Sequence, residues 1–354
     1  MISNIHKALY ENISLTKLFS DHKILAEVSN KFKELAEYHQ ANGDNIRYYK
    51  YKEASFYLDK HQYNNLGNGM IDKIREYKQT HRIEKLDEFK KNNKLTIIKH
   101  LLSIYGIGYK KALELYNHKY YSVQQLQNLL QLHNINQNSN QSYKIQNIKF
   151  TKQQFIGILY YDHLHKNISH KNFLQFIDHF KKIITKFNKI NNLKLQVLLA
   201  GSYIHQQIKS YHDILSVISE YIESSTIKHP TTHTFGDIDL IVYNTQPNKR
   251  TYNISNFIEL LVENKIIKHI LQLSQKNIQH ISFLSNEYIK IDIHFVNQAD
   301  LFYHLLYFGI GEIWARQLRK NVKKHGYTLN QYGLYKNNKK IKLSHHALQS
   351  ILYT

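Results

Sequence analysis

The segment FGDIDLIVYN, residues 235–244, places two aspartates, Asp237 and Asp239, in a run that is otherwise typical of a buried strand. Its aliphatic residues favour the core of a sheet. Residues two apart in a strand point to the same face, so the two carboxylates project side by side. A buried carboxylate without a partner is costly, and no basic residue lies between the two acids. The pattern therefore predicts a cation that balances them.

A third aspartate stands in the same setting. Asp292 lies in KIDIHF, residues 290–295, between Ile291 and Ile293. Three carboxylates on neighbouring strands offer hard oxygen ligands, which suit Mg²⁺ better than a softer metal. A D-x-D pair alone is common in surface turns, but here each acid lies within an apolar strand. We expect two Mg²⁺ ions at these acids, with Mn²⁺ as a substitute, because such a pair can hold the oxygens of a phosphoryl transfer.

A Gly-Ser turn at Gly201 and Ser202 ends the preceding predicted strand, within residues 193–203. Backbone N–H groups and a hydroxyl at such a turn can bind a triphosphate. Asp213 follows soon after this turn and is the rival first metal ligand. Its i+2 neighbour is Leu215, so it offers one carboxylate where the chemistry needs two, and the sequence favours Asp237 and Asp239.

Composition limits the partners. The 354 residues include 48 Lys and Arg against 27 Asp and Glu, a formal net charge of +21. This excess favours a polyanion, most commonly nucleic acid, over the alternative of a membrane surface. No apolar stretch reaches the roughly 18 residues that would span a bilayer, and the first 25 residues lack a signal-peptide pattern. The absence of cysteine excludes disulfides and Cys-based zinc sites. We expect an intracellular protein, in the nucleus or the cytoplasm, with no membrane partner.

The two halves of the chain differ in pattern. A lead-in is followed by helical periodicity as far as about residue 190, with residues 134–147 as a polar loop. Strands are predicted within 193–203, at 237–243 and at 287–296, and the segment 253–273 is predicted to be helical. The fold class is therefore α+β.

The order of these motifs resembles a known family. The chain has a Gly-Ser turn, then the pattern hG-D-h-D-h-h around Asp237 and Asp239, and then h-D-h around Asp292, where h is a hydrophobic residue. This series of motifs resembles the signature of the polymerase-β-like nucleotidyltransferases. Four flanking segments resemble parts of family X DNA polymerases: the 8-kDa domain from LAEYHQ at 35, the helix-hairpin-helix LLSIYGIGYKKALELY at 101–116, the approach to the palm FTKQQFIGILYYDHL at 150–164, and the thumb LLYFGIGEIWARQLRKNVKKHGYTLNQYGLY at 305–335. The likeness spans about residues 28–335 in the family's order.

The resemblance implies an architecture. A helical, helix-hairpin-helix amino-terminal half would precede a polymerase-β-type nucleotidyltransferase palm and a small α/β thumb. The implied domains are a lead-in at 1–25, an 8-kDa lyase-like DNA-binding domain at 26–93, a fingers-like helix-hairpin-helix subdomain at 94–165, a palm at 166–297 with an insertion at 207–234, and a nucleotide-selecting thumb at 298–354.

The resemblance also implies an activity, that of a monomeric DNA-directed DNA polymerase that fills short gaps in base-excision repair. It would transfer nucleotides from dNTPs to a primer 3′-hydroxyl on gapped or nicked double-stranded DNA. Asp237 and Asp239 would bridge both metal ions, and Asp292 would hold the catalytic one. The implied nucleotide-binding residues are Gly201, Ser202, Gly236, Tyr307, Phe308 and Arg319, of which Arg319 would touch the template strand.

The amino-terminal half carries the expected DNA contacts. Gly106 and Gly108 form a GIG turn that can direct backbone N–H groups at a phosphate, although a simple αα-hairpin explains such a turn equally well. The resemblance further implies a 5′-deoxyribose-phosphate lyase whose Schiff-base lysine is Lys73. Its implied supporting residues are Arg47, Tyr51 and Lys85.

The chain departs from the family at several positions. Residues 203–206 lack the Arg residues that usually follow the Gly-Ser turn, Ala315 replaces an Asn that reads the base, and 207–234 is additional. Two alternatives stay open, a template-independent terminal nucleotidyltransferase and a non-catalytic DNA-end-binding protein. Residues with AT-rich codons are abundant, which favours an AT-rich microbe or a large DNA virus as the source. A viral protein would act in the viral replication compartment.

Overall fold

The chain is α+β and divides into two compact units, Met1–Leu159 and Tyr160–Thr354. The domain boundaries expected from the sequence stay predictions. Most of the lead-in 1–25, the end of the insertion 207–234 and Phe235 lie outside the described residues. The computed structural model describes residues 18–132, 143–145, 147–224, 236–246, 253–274, 279–341 and 345–353.

The first unit is mainly helical, as its periodicity predicts. Its described elements are α1 (His22–Ala41), α2 (Asn45–Asp59), α3 (Asn68–Thr80), α4 (Glu84–Lys91), α5 (Asn93–Leu102), α6 (Tyr109–Asn117), α7 (Val123–Leu132), β1 (Tyr143–Ile145), β2 (Ile148–Phe150) and α8 (Lys152–Leu159).

Helix α1 organises the core of the first unit. The Asp21 carboxylate accepts a hydrogen bond from the backbone N–H of Ile24 at 3.1 Å and caps its start. The apolar face of the helix, which includes Val28, Phe32 and Leu35, is fully buried. This face packs against α2, so the two helices form an antiparallel pair whose shared interior stabilises both.

The polar stretch 134–147 is not entirely a loop. Its described part, Tyr143–Ile145, is strand β1, which pairs antiparallel with β2. Asn147 takes a left-handed conformation (φ +68°) between the two strands and allows the tight turn. The prediction was wrong here because Asn- and Gln-rich composition masks a three-residue strand.

The second unit is built on a mixed sheet. The strands of the main sheet are β3 (Leu195–Leu199), β4 (Ile238–Asn244), β5 (Ile267–Leu273), β6 (His280–Ser285) and β7 (Lys290–Asn297), and a small three-stranded sheet contains β8 (Thr328–Asn330), β9 (Gly333–Lys336) and β10 (Lys339–Ile341). The described helices are α9 (Tyr161–Leu164), α10 (His170–Asn191), α11 (Ser202–Gln207), α12 (Ile214–Ser224), α13 (Ile254–Glu263), α14 (Leu301–His304), α15 (Glu312–Lys324) and α16 (His345–Tyr353). A π-helical turn (Leu305–Gly309) lies between α14 and α15.

The five strands of the main sheet lie in the order β3-β4-β7-β6-β5. Strands β4 and β7 are parallel, and the other neighbours are antiparallel. The aliphatic residues of β4 are buried, which confirms the predicted strand at this segment. On one side, Phe187 of α10 and Phe257 of α13 pack edge to face at 5.1 Å, and Phe257 packs in the same way on Phe295 of β7 at 5.9 Å.

Two strands differ from the sequence prediction. The segment 253–273 is not one helix, because α13 ends at Glu263 and β5 begins at Ile267. Lys265 has a left-handed backbone (φ +55°) that ends the helical path, and the β-branched run after it favours a strand. Strand β6 was not predicted, and it pairs with both β5 and β7.

The described part of the insertion 207–234 is folded into the second unit. Ile214, Leu215 and Ile218 of α12 are fully buried. None of the described helices is both long enough and apolar enough to cross a membrane.

Candidate functional site

The three predicted acids converge at one end of β4 and β7. Asp239 and Asp292 are register partners on these parallel strands, and Asp237 immediately precedes β4. Carboxylate oxygens of the three residues all lie within 4.8 Å of one another. The Asp292 side chain is 13% exposed and that of Asp237 is 38% exposed, so the cluster opens to solvent on the Asp237 side.

A lysine that the sequence argument missed lies between the acids. The Lys290 ammonium donates to Oδ2 of Asp237 at 2.9 Å and also to Oδ2 of Asp292. Lys290 stands two residues before Asp292 on β7 and therefore shares its face. The signal was present in KIDIH, where alternate residues are Lys, Asp and His. The acids are thus partly neutralised by the chain itself.

A histidine on β6 completes the surroundings of Asp292. His280 Nε2 lies 3.1 Å from Oδ1 of Asp292, on the side opposite the lysine contact. Burial opposes ionisation of Asp292, but the hydrogen bond from His280 and the charge of Lys290 outweigh it and hold the pKa of this carboxyl well below its usual range. Burial would lower the pKa of Lys290, but the charges of Asp292 and Asp237 raise it above its ordinary value. Both groups are therefore charged at neutral pH.

The surroundings of Asp239 oppose the ionisation of its carboxyl group. Burial, together with the negative charges of Asp237 and Asp292, raises the pKa of Asp239 to about 7. Three carboxylates face one lysine, so the cluster retains excess negative charge once Asp239 ionises. A divalent cation among these oxygens would remove that repulsion.

The predicted Gly-Ser turn lies directly against Asp239. Gly201 has φ +58°, and a Cβ atom there would come within 1.8 Å of Oδ2 of Asp239. Only glycine fits, both for the backbone and for the space. The N–H of Ala200 donates to the carbonyl of Asp239 at 2.9 Å, and Ser202 begins α11. Gly236 is exposed, with no atom within 4 Å of the position its Cβ would occupy, so packing does not require glycine there.

The predicted nucleotide-selecting residues lie on the π-helical turn and α15. The guanidinium of Arg319 lies 4.8 Å from the ring centroid of Tyr307, which brings two of these residues together. Phe308 is 41% exposed and packs on the rings of His294 and His304 at centroid distances of 4.6 Å and 4.9 Å. A π-helical turn is rare and is frequent at functional sites.

The rejected acid, Asp213, has a structural role. Its carboxylate accepts from the N–H of Ser210 at 3.0 Å in a reciprocal capping box. It does not belong to the acid cluster.

In the first unit the predicted lyase residues surround a histidine that the sequence argument did not identify. His39 is 4% exposed and stacks on Tyr51 at a centroid distance of 5.2 Å. Burial lowers the pKa of His39, the Asp44 carboxylate opposes this, and the charges of Arg47, Lys85 and Lys73 lower it further. The three predicted cations therefore lie close enough to act on one ring.

Each of these cations also has an acidic partner. Arg47 pairs with Asp44 at 2.8 Å, Lys73 with Glu76 at 3.6 Å, and Lys85 with Glu88 at 2.6 Å. The three cations and their acidic partners therefore form a mixed-charge cluster beside the buried rings of His39 and Tyr51.

The two glycines of the GIG turn differ in role. Gly106 has φ +82°, a left-handed backbone that favours glycine, and a Cβ there would make a tight contact of 3.1 Å with the backbone N of Gln154. Gly108 precedes α6 without a side-chain cap, and no atom lies within 4 Å of the position of a Cβ there. The first N–H groups of α6 are therefore not satisfied by a capping side chain.

Comparison with known proteins gives no match for this chain, neither to a protein-family model nor to a curated sequence.

Proposed function

We propose that this chain is a metal-dependent nucleotidyltransferase of the polymerase-β-like type, a family X DNA polymerase that fills short gaps. One observation carries the proposal. Asp239 and Asp292 are in register on adjacent parallel strands, with Asp237 and the Gly201 turn against them. Motifs that are about 90 residues apart in sequence thereby form one small site, in the order that the family resemblance implies.

The donor set fits divalent cations such as Mg²⁺ or Mn²⁺. Carboxylate oxygens are their preferred protein ligands, and burial, together with the negative charges of Asp237 and Asp292, raises the pKa of Asp239. Asp237, Asp239 and Asp292 would hold the ions. When bound, they would neutralise the charge that develops on the transferred phosphoryl group and favour deprotonation of the primer 3′-hydroxyl.

The chain's own residues would position the nucleotide and the DNA. Because Gly201 has no side chain, the Asp239 carboxylate lies directly against the turn, and the turn's backbone N–H groups would bind the triphosphate beside the metal ions. Tyr307 and Phe308 offer aromatic surface for the nucleotide sugar, and Arg319 would meet the template strand. Lys290 holds two carboxylates in place before the ions arrive. Holding reactants in one geometry supplies a large part of the rate in such transfers.

The proposal is tested by primer extension on three DNA substrates in Mg²⁺. These are a one-nucleotide gap, a primer on an open template and a single strand without template. We expect addition of the complementary nucleotide, best at the gap. Addition that ignores the template would instead favour the terminal transferase. Tight DNA-end binding without addition in either Mg²⁺ or Mn²⁺ would favour the non-catalytic alternative.

A second activity, 5′-deoxyribose-phosphate lyase, is favoured by the cluster around His39. A lysine nucleophile is helped by neighbouring cations and a partly buried site, and the charges of Arg47, Lys73 and Lys85 all reach one buried ring. Lys73 would form the Schiff base.

Borohydride trapping on an incised abasic site tests the lyase. We expect a covalent adduct with wild type that is lost in Lys73→Ala and retained in Lys78→Ala, a lysine on the same helix. An adduct that survives Lys73→Ala would remove the assignment of that residue. The absence of any adduct with wild type would remove the lyase activity and leave the polymerase proposal intact.

A further inference from the structure

His280 lies on the same face of the main sheet as the acid cluster, on the strand next to Asp292. Strands β6 and β7 are antiparallel, with His280 opposite His294 and Ser282 opposite Asp292. Because residues two apart in a strand share a face, the His280 side chain is the diagonal neighbour of Asp292. Its Nε2 lies 3.1 Å from Oδ1 of Asp292. His280 therefore contacts a candidate metal ligand although it is not one of the three acids.

Contacts of its backbone and of its ring hold His280 in this position. Its N–H donates to the Ser274 hydroxyl at 3.3 Å, and its carbonyl accepts from the N–H of Ser274 at 3.2 Å. These two bonds join the start of β6 to the end of β5. The His294 ring packs on the imidazole at a centroid distance of 4.5 Å, and the His280 side chain is 22% exposed. A side chain that is enclosed in this way can fix the orientation of its neighbour.

The bond from His280 leaves Asp292 able to bind a metal ion. A carboxylate offers about four lone-pair sites on its oxygens. His280 contacts Oδ1 and Lys290 contacts Oδ2. The two donors hold the carboxylate from both sides and restrict its rotation, while lone pairs remain on each oxygen.

The two donors differ in how they respond to a divalent cation. The Lys290 ammonium is shared between Asp237 and Asp292, so its positive charge lies between two of the acids and competes with the cation. A neutral imidazole donates from one ring nitrogen without carrying a charge. The His280 bond is therefore compatible with a bound cation. A hydrogen bond of this kind, from outside the ligand set, orients a metal-ligating carboxylate and raises the affinity for the metal.

We propose that His280 is a positioning residue of the metal centre, which orients the Asp292 carboxylate through the bond to Oδ1 and thereby raises the affinity for divalent cations. The inference rests on the metal centre of the proposed function. It adds a residue of β6 to a site whose acids come from β4, β7 and the residue that precedes β4.

The test is a Mn²⁺ titration of the full chain, followed by electron paramagnetic resonance, in which the signal of free Mn²⁺ falls as the ion binds. His280→Met is compared with His280→Gln, because the two side chains are similar in length and only Gln keeps an N–H donor. We expect His280→Met to weaken Mn²⁺ binding about 10-fold to 100-fold, and His280→Gln to recover most of that loss. His280→Leu is a second variant without a donor. His179→Met is the matched control, since His179 is exposed on α10 and lies outside the cluster.

A second readout separates positioning from a general loss of structure. In single-turnover nucleotide addition at a one-nucleotide gap, His280→Met should raise the half-saturating Mn²⁺ concentration by the same factor. Its rate at saturating Mn²⁺ should stay close to that of wild type. A lower saturating rate with an unchanged half-saturating concentration would overturn the proposal.

Equal Mn²⁺ affinities of wild type, His280→Met and His280→Leu would also overturn it. So would equal losses in His280→Met and His280→Gln, because loss of the ring rather than of the hydrogen bond would then explain the weaker binding. No Mn²⁺ binding by wild type would overturn the inference together with the metal centre. The expected order of Mn²⁺ affinities without any nucleotide addition would remove the proposed polymerase activity and leave the role of His280 intact.

Discussion

At the scale of single residues, Lys290 explains how three carboxylates can lie side by side. Its ammonium bonds to Asp237 and Asp292 and leaves Asp239 as the acid that is hardest to ionise. The sequence identified the acids because alternation in a strand fixes which side chains share a face. It did not reveal His280, which reaches Asp292 only through the pairing of β6 with β7.

Lys290→Met should destabilise the metal-free protein and increase the stabilisation that divalent cations provide. Two charge-assisted hydrogen bonds are lost and the carboxylates face one another unscreened, which should cost about 2 kcal/mol in the free energy of unfolding. Urea unfolding in EDTA measures this loss, and unfolding in Mg²⁺ should recover most of it. A variant as stable as wild type in EDTA would show that the lysine does not balance the acids.

Asp239 predicts a pH dependence with a definite sign. Its folded-state pKa, about 7, lies above the unfolded value, so its contribution to stability is complete below about pH 4 and is lost as the pH rises through 7. Buried His294 and His304 have lowered pKa values and act in the opposite direction below about pH 6.5. The wild type must therefore be compared with Asp239→Asn at each pH.

In EDTA the melting temperature of Asp239→Asn should rise relative to wild type between pH 4 and pH 7. Thermal unfolding followed by circular dichroism provides the measurement. A constant difference across this range would mean that Asp239 titrates as an ordinary exposed aspartate. In Mg²⁺ the order should reverse near pH 8, because only the wild type has the full set of oxygen ligands.

At the scale of elements, helix α12 of the insertion supports the edge strand that leads to the Gly-Ser turn. The Tyr221 hydroxyl donates to the carbonyl of Leu199 and accepts from its N–H, both at 2.9 Å. Leu199 ends β3, two residues before Gly201. The same insertion also reaches α15, since Tyr211 packs against Trp314 at a centroid distance of 5.9 Å and accepts from Asn321. The additional segment is therefore part of the site's framework.

Tyr221→Phe should lower the free energy of unfolding by about 2 kcal/mol, because two buried hydrogen bonds to one backbone residue are lost at about 1 kcal/mol each. Urea unfolding of the full chain is the measurement. Tyr335→Phe is the matched control, because the Tyr335 hydroxyl makes no hydrogen bond within the described residues. Its free energy of unfolding should stay close to that of wild type. Equal stability of both variants would show that α12 does not hold β3 through this hydroxyl.

The elements show where sequence reasoning succeeds. Strands β4 and β7 were predicted because their alternating aliphatic residues are a local signal. The sequence pattern predicts helix where β5 forms and no strand where β6 forms, because β5 is defined by its pairing with β6, and β6 by its pairing with β5 and β7, not by a strong local pattern. For the same reason the acids were predicted, whereas His280, their neighbour across the sheet, was not.

At the scale of the whole molecule, the net charge of +21 predicts strongly salt-dependent DNA binding. Neutralising phosphates releases counterions, so a protein with six or more phosphate contacts should lose about 10³-fold in affinity between 50 and 200 mM salt. Fluorescence anisotropy with gapped DNA measures this slope. An affinity that changes less than about tenfold would indicate that the basic residues do not contact the backbone.

In the proposed function, Asp237, Asp239 and Asp292 together form a metal-dependent centre for nucleotidyl transfer. The most direct measurement is the single-turnover rate of nucleotide addition to a one-nucleotide gap in Mg²⁺, for wild type, Asp292→Asn and Asp213→Asn. Asp213 is the matched control, because it caps a helical turn and lies outside the cluster.

We expect wild type and Asp213→Asn to add the complementary nucleotide at similar rates. Asp292→Asn should be slower by about 10³-fold or more, because a metal-ligating carboxylate supplies several kcal/mol of transition-state stabilisation. No addition by wild type with either Mg²⁺ or Mn²⁺, or equal rates for wild type and Asp292→Asn, would show that these acids are not a metal-dependent centre for nucleotidyl transfer.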